Sequence, residues 1–152
     1  MDLAVSNCGF VATGAVCGAL SRYGVAELSK SVNVGRPLPP YAGTIAVNIA
    51  GSFLLGCIAG GFKPGSPGVL LAGVGFCGSF TTFSTFAVDA VKLLSSGQVA
   101  QAALYVASSN ALSIGAAAAG MQFSSSPRAL AAINALAARR PMIRQLFPGS
   151  KG

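Results

Sequence analysis

The sequence predicts an all-α membrane protein of four transmembrane helices, and three observations predict it. Only 9% of the 152 residues are charged, against roughly 25% in a soluble domain, and mean hydropathy is +0.67. The few charges leave four uncharged runs, 3–21, 37–62, 64–88 and 93–127. Each supplies the roughly 20 apolar residues that cross a bilayer at about 1.5 Å per residue. Gly, Pro and Ser punctuate the connections between them, as in Lys63-Pro64-Gly65-Ser66-Pro67-Gly68.

The first span is expected over 7–28, with Gly14 and Gly18 in a small-xxx-small pattern that permits close helix approach. A Gly- and Pro-rich loop or short interfacial piece, 29–40, follows. The second span, 41–62, places Thr44, Asn48 and Ser52 at i, i+4, i+8, on one helix face. The third span, 69–94, holds Gly73, Gly75 and Gly78, then Phe80-Thr81-Thr82-Phe83-Ser84-Thr85-Phe86. Glycine weakens a helix interior, so a local break is expected here. A break frees carbonyls that need a helix, water or a cation at membrane depth. The fourth span, 99–121, repeats the polar stripe with Tyr105, Ser109 and Ser113. The short Ser95-Ser96-Gly97 connection makes spans three and four adjacent and antiparallel. Residues 1–121 thus form a four-helix unit. The basic tail, 122–152, is expected to be a surface-lying amphipathic helix or disordered. The N-terminus lacks a basic n-region, so no cleavable signal peptide is expected.

The net charge of +7 does not imply nucleic acid. Five of the ten basic residues lie after Pro127 and the rest are scattered near span ends, where they set topology and meet lipid headgroups. Excluding the tail, the bias between the two sides is slight, which permits insertion in both orientations. The four cysteines have no metal-ligand spacing and there is no His. No span carries a central carboxylate, and Asp89 is nearest. Nothing supports enzyme chemistry or nucleotide binding.

What remains is three stripes of neutral donors on three spans. Neutral hydroxyls and amides can replace water around a small anion without trapping it. Phe80, Phe83 and Phe86 recur at i, i+3, i+6, and aromatic ring edges are electropositive. Each feature also has a plain structural reading: Asn as interhelical glue, Ser and Thr bonded to their own turn, Phe as packing, Tyr105 as an interfacial residue. A four-helix bundle this small leaves little room for a pore, so oligomerisation through small-residue faces is expected.

The chain resembles the Fluc (CrcB-type) fluoride ion channels over roughly 14–120. The resemblance rests on Gly18-Ala19-Leu20-Ser21-Arg22-Tyr23, on Gly43-Thr44-Ile45-Ala46-Val47-Asn48-Ile49-Ala50-Gly51-Ser52-Phe53, on Gly75-Phe76-Cys77-Gly78-Ser79-Phe80-Thr81-Thr82-Phe83-Ser84-Thr85-Phe86, and on Tyr105-x-x-x-Ser109. It implies a multi-pass cell-membrane protein, an antiparallel, dual-topology homodimer with two fluoride pathways. It further implies a central sodium ion held by the backbone carbonyls of Gly78 and Thr81. Phe83 and Phe86 would face the ions. Asn48, Ser84, Thr85, Tyr105 and Ser109 would bond fluoride or line its track. Arg22 would sit in the aqueous vestibule. Two positions depart from the family pattern: Ser79 replaces a second glycine, and Asp89 replaces a common Glu. The leading expectation is passive fluoride export. The alternatives are a small-solute or proton-coupled exporter using Asp89, and a non-conducting structural subunit.

Overall fold

A computed structural model describes residues 2–32, 39–126 and 131. Four helices in it are long and apolar enough to cross a membrane. The first, α1, is Asp2–Val32, and the second, α2, is Ala42–Gly61. The third span opens with a π-wound stretch, Val69–Cys77, that runs into one α turn, Gly78–Phe80. These two pieces form α3 (69–80). Thr81 and Thr82 are both extended, and the span then resumes as α4, Phe83–Ser95. The last span, α5, is Val99–Ser125. The four spans are therefore where the sequence puts them, with two helices longer than expected. Both α1 and α5 continue into stretches assigned to loop and tail. The tail beyond Ser126, apart from residue 131, lies outside the described residues, as does 33–38.

The α4–α5 turn shows how sequence sets an element's end. Gly97 has φ +75°, open to glycine at little cost. Its N–H bonds Leu94 O at 3.0 Å, and Gln98 N–H bonds Leu93 O at 2.9 Å. This is a Schellman closure of α4, and it folds α5 straight back along the bundle.

Packing is by backbone approach rather than by a large apolar core. A Cβ on Gly14 or Gly18 of α1 would run into the backbone oxygens of Leu71 and Phe76 on α3. A Cβ on Gly56 of α2 would meet Ala117 O of α5, and one on Gly120 would meet Phe53 O. Close approach gains dispersion between backbones, which matters where lipid removes the hydrophobic drive between helices. The buried set is correspondingly small: Val47, Cys77, Phe80, Ala102 and Tyr105, beside polar Thr44, Thr82, Ser109 and Ser124. Large apolar side chains such as Leu20, Leu104 and Ile114 point outward, as lipid-facing residues do.

Candidate functional site: a polar groove at the broken third span

The break is built by three side chains. In a continuous helix the Thr82 amide would bond Gly78 O. Instead it donates to Asn48 Oδ1 at 2.8 Å, and Asn48 Nδ2 donates back to Thr82 O at 3.2 Å. The Thr85 amide would likewise have reached Thr81 O. Instead it donates to Thr82 Oγ1 at 3.2 Å, which makes Thr82 the N-cap of α4. Arg22 of α1 supplies the third brace, with Nε donating to Ser79 O at 3.0 Å. The carbonyls of Gly78 and Thr81 have thus both lost their helical donors to competing acceptors.

Two spaces flank the break. One is a cavity of about 160 Å³ lined by Arg22, Lys30, Thr44, Thr82 and Thr85, among others. At its side Thr44 Oγ1 donates to Asp89 Oδ2 at 3.1 Å. The other is a groove of about 240 Å³ between α2, the break and α5. Its polar lining includes Asn48, Ser52, Thr81, Thr82, Ser109, Asn110 and Ser113, and its apolar lining includes Phe83 and Phe86. Thr82 is the residue that borders both spaces. Its hydroxyl also reaches Thr85 Oγ1 at 3.0 Å and Ser84 Oγ at 3.3 Å. The first amides of α4 add the positive end of a helix dipole beside these hydroxyls.

An aromatic chain runs across the same region. Ring centroids of Phe83 and Phe86 lie 5.6 Å apart, those of Phe86 and Tyr105 5.2 Å, and those of Tyr105 and Tyr41 4.4 Å. Tyr105 is buried, and its hydroxyl sits against Thr44 without a hydrogen bond of good geometry. Phe83, in contrast, is 79% exposed. Phe80, the third member of the sequence periodicity, points elsewhere: it is buried and stacks on Phe76 with centroids 5.4 Å apart.

The structure gathers most of the expected residues but sorts them. Asn48, Phe83, Phe86 and Ser109 line the groove. Arg22 and Thr85 line the cavity. Ser84 reaches the site through Thr82, and Tyr105 backs Phe86. Gly78 and Thr81 flank the break itself. Sequence reasoning missed Thr82 as the capping residue, although a Thr three positions before Thr85, at the head of a helical run, is an N-cap signal. It also missed Tyr41 and the bond from Arg22 to Ser79.

Comparison with known proteins gives the chain a family. The family described as "CrcB-like protein, Camphor Resistance (CrcB)" matches residues 9–121. The protein named fluoride-specific ion channel FluC 1 in Nitrobacter hamburgensis is 41% identical over 119 residues, covering 74% of this chain and 90% of that one. A fluoride-specific ion channel FluC of Vibrio vulnificus is 42% identical over 118 residues, covering 75% and 91%. A FluC 2 of Synechococcus sp. is 43% identical over 111 residues, covering 72% and 73%. With the match spanning all four membrane helices, this multi-pass membrane chain belongs to the CrcB-like family.

Proposed function

We propose that this chain is a fluoride-selective ion channel of the cell membrane that lets fluoride leave the cytoplasm passively. The observation that carries the reading is the groove: neutral hydroxyl and amide donors facing the ring pair Phe83 and Phe86, in a family whose named relatives are fluoride-specific channels. Fluoride is small and strongly hydrated, so leaving water requires closely spaced donors. The hydroxyls and the electropositive ring edges provide them without a fixed charge that would hold the ion. Arg22 and Lys30 at the cavity raise the local anion concentration. The weak parent acid crosses membranes neutral and ionises inside. A negative-inside potential, worth about 2.3 kcal/mol per charge per 100 mV, then drives the anion out without further fuel. The protein is a channel rather than an enzyme.

The working unit is a homodimer of oppositely oriented copies. One chain leaves a polar groove and Phe83 uncovered at membrane depth, where uncovered polar groups are costly. A second copy would cover them and close two pathways. The donor set at the break suits sodium: two carbonyl oxygens per chain, Gly78 and Thr81, both released from helical bonding, and oxygen ligands match a hard cation. When bound, sodium would supply positive charge at the centre of the assembly. Asn48, Thr82 and Arg22 keep those carbonyls available by occupying the surrounding backbone groups.

Asp89 favours no coupled-exporter reading. It accepts a hydrogen bond from Thr44 at the cavity side and does not line the groove. Fluoride-loaded liposomes holding the purified protein test passivity: release should track the fluoride gradient with no pH gradient applied. Strict dependence on an imposed pH gradient would overturn the channel reading.

A further inference from the structure

Asn110 lies near the middle of α5, exposed on the outer face of the single chain. An exposed amide at that depth is unfavourable unless its hydrogen-bonding groups are used. Asn110 Nδ2 donates to Val106 O at 2.7 Å, one turn back. That bond uses one of its two N–H groups. The other N–H and Oδ1 have no partner among the described residues.

Its neighbours are in the same condition. Ser113 Oγ is buried without a partner, and the hydroxyl of the buried Ser109 makes no hydrogen bond among the described residues. All three line the groove, and spacings of three and four residues put Ser109, Asn110 and Ser113 on one arc of α5. Across the groove Asn48 is already committed through Oδ1 and one N–H to Thr82. No carboxylate lines the groove. The uncommitted hydrogen-bonding groups therefore concentrate on α5, with the Ser52 hydroxyl of α2 lining the same groove, and neutral donors with no carboxylate among them fit an anion.

We infer that Asn110 is a further anion-contacting residue, presenting its free amide N–H beside the Ser109 and Ser113 hydroxyls. This rests on the fluoride-channel reading and adds a donor to it. The rival use of the same amide, a hydrogen bond to the second copy, is separable by experiment.

Fluoride efflux is read by electrode from liposomes holding full-length wild type, Asn110→Leu, Asn110→Asp or Asn110→Gln, with assembly mass measured by light scattering. Loss of one hydrogen bond to a charged ligand predicts about a tenfold fall in efflux for Asn110→Leu. Asn110→Asp, equal in size but anionic, should fall further, and Asn110→Gln should recover part of the rate, all at wild-type mass. A conducting wild type with Asn110→Leu and Asn110→Asp equally fast would overturn the inference alone. Loss of wild-type assembly in both variants would assign Asn110 to subunit contact and overturn it too. A wild type that conducts nothing would remove the channel reading as well.

Discussion

Asn48 grips both backbone groups of Thr82 at once, standing in for the peptide partner that the helix break removed. Asn48→Leu would leave an N–H and a C=O unsatisfied at membrane depth, at about 1–3 kcal/mol each. The expected result is a lower thermal midpoint in detergent together with lost fluoride efflux. Loss of efflux at an unchanged midpoint would mean that Asn48 acts on the ion alone. Asp89→Asn should keep gradient-driven efflux, because an amide oxygen can still accept from Thr44; abolished efflux in a folded variant would revive the coupled exporter. Thr44, Asn48 and Ser52 share a face and read as one stripe in the sequence. In the fold they serve three surroundings: the cavity, the break and the groove. Periodicity gives the face of a helix but not what crosses it, so the partners of Thr44 and Asn48, Asp89 and Thr82, were not legible.

The spans are the most legible elements, because lipid imposes their length and apolarity. Their ends were less so: α1 and α5 continue past the expected limits into segments whose Ser, Lys and Gln do not forbid helix. Glycine density made a break in this span foreseeable, but the break falls at Thr81 and Thr82, past glycines that stay helical, and the π-winding of Val69–Cys77 was not foreseeable, since no residue pattern marks an i→i+5 ladder. Its Gly75 meets Gly14 of α1 backbone to backbone, and Gly18 of α1 meets the backbone of Phe76. Gly18→Ala should therefore destabilise the α1–α3 contact by about 1–3 kcal/mol, because its Cβ would strike Phe76 O. Gly24→Ala on the same helix meets nothing within 4 Å and should be neutral or mildly stabilising. Thermal midpoints of the pair check this; equal shifts would contradict the packing described.

At the scale of the molecule, one chain leaves its polar groove open on one side. Its groove is walled by α2, the break and α5 but open where Phe83 projects. The purified protein in mild detergent should have twice the 15.0 kDa chain mass, and reporters fused after Gly152 should be found on both sides of the membrane. A monomer that conducts would contradict the dimeric pathway. The family motifs made this assembly an expectation from sequence, whereas composition alone gave only the need for some partner. The central claim is selectivity for fluoride, and the most direct measurement is paired efflux from liposomes loaded with fluoride or with chloride. Rapid release of fluoride with chloride retained over the same interval is the predicted result; equal release of both ions, or retention of both by well-folded protein, would contradict it.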